Sequence, residues 1–291
     1  MKPFLPCLAT LLFVFPVSLT AHRDLAGDVF PIVKVENGNF AIYFYNNARP
    51  SVDDNDIQGK NRPVFRIVYS PGGELLGPRA RSDKFTAEAL SNGSSMVYDK
   101  TIRVGDETVF FENDLLRAKP SYSFEKNGVR QHRRLPWPEK VEIDYVADAL
   151  VDERSLALSV ALEKGKLAVY HFDRTKFEMP ASVVIGEPTF IYDFPRASNL
   201  VRVEDRYWLG WIRYNREKDK LETILSDWKP GEEKAHDTLV DLPTTWNTEI
   251  SLAAIGNDLC LAYAGPPADA SAAQSRIVTL FRKTTELTTA H

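Results

Sequence analysis

The sequence predicts an all-β fold, a single β-propeller of five four-stranded antiparallel blades. Three observations carry that expectation. Tight-turn dipeptides recur at Asn37-Gly38, Gly105-Asp106, Glu153-Arg154, Glu204-Asp205 and Gly256-Asn257, each between two runs of alternating apolar and polar residues. After a longer first interval these turns fall roughly 50 residues apart, a spacing typical of repeat architectures. No segment sustains a helical apolar period over three turns. One four-stranded unit cannot bury both its faces alone. Packed on its neighbours in a closed ring it can, and only short edges remain.

Taken in order, the chain starts with Lys2, an apolar run from Phe4 to Val17, and the small-residue stretch Ser18-Leu19-Thr20-Ala21. This pattern predicts a signal peptide over 1–21 and a propeller domain over 22–291. The run is short for a membrane span. The expectation is therefore a periplasmic or secreted protein with no membrane span once the signal is removed. Removal leaves Cys260 as the one cysteine. In its apolar alternating run it reads as a buried structural thiol rather than a nucleophile.

The first unit is expected to pair Ile32–Glu36 with Asn39–Asn46, then Val64–Ser70 with Glu74–Arg79 around Pro71-Gly72-Gly73. Its extra length is the polar insertion Ser51 to Asn61 and an irregular piece from Arg81 to Ser95. The second unit pairs Met96–Val104 with Thr108–Asn113, then Tyr122–Glu125 with Val129–Leu135 around Asn127-Gly128. The third runs through Tyr145–Val151, Ser155–Leu162, Lys166–Phe172 and Phe177–Ile185. The fourth starts at Ser198, turns at Glu204-Asp205, and continues with Leu221–Asp227 and Glu233–Val240 around Lys229-Pro230-Gly231. The fifth has Ile250–Ile255, Asp258–Ala264 and Arg276–Phe281 but lacks a fourth strand. Asp28-Val29-Phe30 is expected to supply that strand and latch the ring.

Two third-strand turns, Arg66-Ile67-Val68-Tyr69-Ser70-Pro71-Gly72-Gly73 and Ile224-Leu225-Ser226-Asp227-Trp228-Lys229-Pro230-Gly231, carry a family resemblance. The blade plan resembles bacterial sialidase-type (BNR-repeat) propellers, whose Asp box occupies this turn. The first copy lacks the aspartate and tryptophan of the box, and the second has its aspartate one place early. The resemblance implies the architecture and no particular activity.

Composition and motifs exclude several function classes. A net charge of −4 gives no basic excess of the kind nucleic-acid binding needs. The sequence has no glycine-x-serine-x-glycine elbow, no P-loop and no dinucleotide fingerprint. His22, His132, His171, His236 and His291 are scattered, with no pair at metal-ligand spacing, so no metal site is expected. Asp54 and Asp56, followed by Gly59, resemble the first half of a calcium loop, but Phe65 stands where the bidentate glutamate belongs. Calcium at Asp54 and Asp56 is the minor option beside a solvated acidic loop. The densest basic cluster, Arg130-Gln131-His132-Arg133-Arg134, reads as an outer strand whose charges block edge pairing, with an anion contact as the alternative.

In a propeller, the segments leading into the inner strands converge on the axis, where function tends to sit. The candidates there are Asp28, Asn92, Asp144, Asp148, Asp193, Arg196, Asn199, Trp246, Asn247 and Glu249. Of these, Asp28, Asp144, Asp148, Asp193, Arg196, Trp246 and Glu249 form the expected binding set. Asp193 is the best catalytic candidate, because Tyr192-Asp193-Phe194-Pro195-Arg196 joins an acid to two aromatics and an arginine. The competing reading has Asp193 capping the turn before Pro195. With a clear scaffold and no recognisable catalytic set, the preferred expectation is a non-catalytic binder of a glycan or an exported protein, including an inhibitor or immunity-type partner. The alternative is a glycoside hydrolase-like, sialidase-like enzyme with carboxylates at the axis.

Overall fold

The computed structural model describes residues 26–46, 62–87, 89–90, 99–112, 121–176, 178–191, 194–195, 197–242, 244, 250–265 and 274–288. They form a five-bladed β-propeller. Blade I contains β1 (Ala26–Glu36), β2 (Asn39–Asn46), β3 (Val64–Tyr69) and β4 (Ala80–Arg81). Blade II contains β5 (Asp99–Val104), β6 (Glu107–Glu112), β7 (Ser121–Lys126) and β8 (Val129–Arg134). Blade III contains β9 (Ile143–Val151), β10 (Ser155–Leu162), β11 (Lys166–Asp173) and β12 (Ala181–Gly186). A two-stranded hairpin, β13 (Phe190–Ile191) and β14 (Phe194–Pro195), precedes blade IV. Blade IV contains β15 (Val201–Val203), β16 (Arg206–Asn215), β17 (Lys220–Trp228) and β18 (His236–Val240). Blade V contains β19 (Ile250–Ile255), β20 (Asp258–Gly265) and β21 (Gln274–Lys283), followed by a short helix α1 (Thr284–Thr288).

All five expected hairpin turns join the first two strands of a blade. Asn37-Gly38 shows why that dipeptide marks such a turn: both residues have positive φ, 50° and 72°. Among the expectations that shift, two bear on how the ring is built. The fourth strand of blade I is Ala80–Arg81 rather than Glu74–Arg79. Pro78 has no N–H to donate, so only an isolated Tyr69–Leu75 bridge precedes it, and the ladder resumes beyond the proline. Ring closure uses Ala26 and Gly27, which pair in parallel with Gln274 and Ser275 of β21. Asp28 and Val29 instead already pair with Asn46 and Tyr45 of β2, inside blade I.

The core is a set of layers between blades. Val109, Tyr122 and Phe124 of blade II pack with Val146, Leu158 and Tyr170 of blade III. Leu167 and Val183 of blade III meet Leu209, Trp211 and Trp228 of blade IV. Trp208 and Ile212 of blade IV meet Leu252 and Tyr263 of blade V. Phe40, Ile42 and Phe44 of blade I meet Ala253, Cys260 and Ala262 of blade V. Trp208 and Trp211 have opposite parity on β16, and each enters a different layer. The other face of blade I is covered by Phe85, Ala87 and Leu90, from the irregular piece of the long first repeat. Phe40 and Phe44 are fully buried, and each contributes roughly 1.5–3 kcal/mol of burial energy. Cys260 is fully buried too, and burial pushes its thiol up, as a structural cysteine requires.

Candidate functional site

Every inner strand runs toward its hairpin turn, so all five begin on the same face of the ring, here the mouth face. Side chains near those beginnings are joined from blade to blade by hydrogen bonds. The buried Asp148 of β9 accepts the Leu200 N–H through Oδ2 at 2.7 Å, linking blade III to blade IV. Asn199 donates through Nδ2 to the Leu252 carbonyl at 2.6 Å and accepts the Leu252 N–H at 3.0 Å, linking blade IV to blade V. The Ser251 hydroxyl donates to Asn199 Oδ1 at 3.2 Å and accepts the Val33 N–H at 3.1 Å, linking blade V to blade I. An inner strand has a ladder partner on one side only, so part of its backbone N–H and C=O groups face the next blade or the axis, and these side chains satisfy several of them.

The inner strand β9 is irregular in a specific way. Asp148 lies opposite Ser159, but Val146 lies opposite Val160, so Ala147 is an extra residue. Tyr145 lies opposite Ala161 and Ile143 opposite Leu162, so Asp144 is a second. Bulges re-aim side chains and are common beside active sites. Here Asp144 is exposed at the mouth, while Asp148 is turned inward and is 6% exposed. β1 is also irregular: Phe30 has φ of 53° before Pro31, and the register slips between Val29 and Ile32. The Phe30 ring is stacked on Tyr45 at 5.5 Å, which holds that unfavourable backbone in place.

Of the sequence-derived candidates, the structure brings Asp148 and Asn199 into one network and places Asp144 on the same strand as Asp148. Asp28 is placed by its backbone alone, opposite Asn46. Asp193, Arg196, Trp246 and Glu249 lie outside the described residues, as do Asn92, Asn247, Asp54 and Asp56. Among the described residues no three histidine, cysteine or acidic side chains group as a metal-ligand set. No described helix is long and apolar enough to cross a membrane.

Sequence reasoning missed Ser159 and Glu222. The Ser159 hydroxyl is fully buried, faces the Asp148 position across the ladder and has no hydrogen-bond partner. Its signal was a hydroxyl inside the apolar run Leu156–Ala161. Glu222 sits at the mouth-face end of the β16–β17 hairpin, nearly fully buried beneath its neighbours. Hydrogen bonds from Asn215, Arg213 and Lys218 hold its carboxyl down at about 2. A carboxylate so firmly ionised is suited to organising the hairpin and unsuited to donating a proton near neutral pH.

The displaced Asp-box residues have structural work. Asp227 is buried against Arg206, which also holds both oxygens of Glu232 at 2.7 and 2.9 Å. Trp228 donates to the Glu232 carbonyl at 3.0 Å. This locks the turn between β17 and β18, the place the resemblance implied.

No family model matches the sequence, and no curated protein matches it. Solved structures similar to the chain over most of its length include three of low identity. A GH62 α-L-arabinofuranosidase catalytic domain from Coprinopsis cinerea is 10% identical, with 91% of this chain and 93% of that one covered at a TM-score of 0.39. A GH43_1 enzyme from Xanthomonas citri is 13% identical, with 89% and 88% covered at 0.39. A neuraminidase-like protein of A/flat-faced bat/Peru is 10% identical, with 90% and 89% covered at 0.43.

One expectation is corrected. The non-catalytic reading rested on a clear scaffold without a recognisable catalytic motif. The similar structures reported above include glycosidases, and a missing sequence motif is by itself no argument against catalysis, because function sits in side chains that a scaffold does not fix. The preference for a non-catalytic binder is withdrawn.

Proposed function

We propose that the protein is a glycoside hydrolase-like enzyme whose chemistry sits at the mouth of the ring axis. The observation carrying this reading is the double bulge of β9, which separates an exposed carboxylate, Asp144, from a buried and fixed one, Asp148. Glycoside hydrolysis uses two carboxyl groups. One protonates the leaving oxygen, and the other attacks the sugar or activates water. Asp144 and Asp193 are assigned those two roles. Asp148 is a positioning residue, binding the Leu200 N–H and setting the course of the chain that leads into blade IV. Arg196, Trp246, Asp28 and Glu249 are kept from the sequence as the residues assigned to sugar binding. The N-terminal segment is consistent with export to the periplasm or beyond.

The test is hydrolysis by the purified chain on a panel of α-L-arabinofuranosides, xylo-oligosaccharides and sialosides. Cleavage by wild type, with a loss of about 100-fold or more in Asp144→Asn and Asp193→Asn, supports the assignment. No turnover on any glycan, or full activity in both variants, overturns it.

A further inference from the structure

The strand β8 is not needed for the chemistry proposed above, yet its composition calls for an explanation. Its six residues, Val-Arg-Gln-His-Arg-Arg, include three arginines, one histidine and no acid, and all six are exposed. It is the outer edge of blade II. Edge protection alone is a weak explanation, because a single lysine or a proline suffices. The molecule leaves a comparable edge, β12 (Ala-Ser-Val-Val-Ile-Gly), without any charged residue.

The side chains of β8 divide by parity. Arg133 turns toward blade III, where its guanidinium lies 4.9 Å from the centre of the Phe124 ring and donates to the Arg174 carbonyl at 3.0 Å. Arg130, His132 and Arg134 belong to the opposite face. Arg130 Cζ lies 4.4 Å from the centre of the Phe110 ring, a cation–π contact. His132 Nδ1 lies 3.3 Å from the hydroxyl of the buried Ser123. By register, the exposed Arg103 falls on the same face, in line with Thr108, Glu125 and Arg130. No described carboxylate pairs with Arg134.

Alternate strand positions place Arg130, His132 and Arg134 in a row about 14 Å long. A compact anion would need these groups to converge. A row meets a chain of anionic groups, and guanidinium forks take carboxylate or sulfate oxygens in pairs. We propose that β8 is a docking strand for an acidic polysaccharide, one bearing uronate carboxylates or sulfates, held at the outer rim while the axis acts on the glycan. The proposal deepens the glycan reading and rests on it. The chain is otherwise net negative, so the attraction is local to this strand rather than general.

The experiment is equilibrium binding of the purified chain to polygalacturonate and to heparin, with neutral xylan, double-stranded DNA and phosphatidylglycerol vesicles as comparisons. Binding is read without turnover, so failure of the hydrolysis assay leaves this result intact. The expected outcome is binding to one acidic polysaccharide that weakens as salt rises and is lost about ten-fold in Arg134→Ser and further in Arg134→Glu, with an unchanged thermal midpoint. The heparin and polygalacturonate arms distinguish sulfate from carboxylate as the group bound. No binding to either polymer at low salt overturns the proposal. So does equal binding to xylan, unaltered binding by Arg134→Glu, or tighter binding to DNA or to the vesicles.

Discussion

Asn199 binds Leu252 with both ends of its amide, donating to the carbonyl at 2.6 Å and accepting from the N–H at 3.0 Å. A side chain here does what a neighbouring strand would do, and it does so between two blades. Replacing it with leucine removes both bonds and leaves a strand N–H and carbonyl without partners. Asn199→Leu is expected to lower stability by about 2–4 kcal/mol, measured by urea unfolding. Asn199→Asp keeps the acceptor but loses the donor, and should fall between the two.

Gly186 ends β12 with its α-carbon against the Trp211 ring. A methyl there would lie 2.7 Å from Cζ2 and closer still to Cη2. Gly186→Ala is expected to cost about 1–3 kcal/mol by forcing blades III and IV apart. Gly38 has nothing within 4 Å of the same position but has positive φ. Gly38→Ala should therefore cost only about 1 kcal/mol, from backbone strain alone. Thermal unfolding of the two variants side by side checks the contrast.

Glu222 gives an acid-side signature. Its carboxyl is held at about 2 in the folded chain, first by Asn215 and then by Arg213 and Lys218, against an ordinary 4.5. A depressed folded value means the contribution is complete above the unfolded value and is lost as pH falls from about 4.5 toward 2. Glu222→Gln should remove part of the stability change across that window. The effect is expected near 1 kcal/mol, because Lys218 and Lys220 are more than half exposed and screened. Unfolding midpoints of both proteins from pH 6 to pH 2.5 test this.

His171 gives a second signature at milder pH. Its Nδ1 lies 2.8 Å from the Tyr207 hydroxyl, joining blades III and IV on the face opposite the mouth. Burial, and next the charge of Arg202, hold its imidazolium below the ordinary 6.5, while Asp152 and Asp173 pull the other way. For a base with a lowered folded value, stability is complete above the unfolded value and declines as pH drops below 6.5. The melting temperature should therefore fall between pH 7 and pH 5, and His171→Gln should flatten that slope.

Asp148 separates architecture from catalysis. Asp148→Asn keeps an oxygen to accept the Leu200 N–H and should change stability by less than about 1 kcal/mol. Asp148→Leu leaves that buried N–H unpaired and should cost about 1–3 kcal/mol. On a glycan that wild type cleaves, loss of turnover in the leucine variant exceeding that in the asparagine variant is the pattern of a positioning residue.

The sequence by itself determined the blade plan. Alternation and tight turns are local, and a repeat of local units has few ways to bury both faces other than by packing on its neighbours. Even the parity of Trp208 and Trp211, which sends them into different layers, could be read from a single strand. What the tertiary structure alone decided is how the blades are joined. Asn199 meets Leu252, and Ser251 meets Val33, across long stretches of chain, and nothing local in any of these residues marks the pairing. The two bulges of β9 are likewise invisible along the chain, because an extra residue is defined only against a partner strand. Asp144 and Asp148 therefore carry the same letter in the sequence, and only the ladder with β10 makes one of them a mouth residue and the other a buried brace.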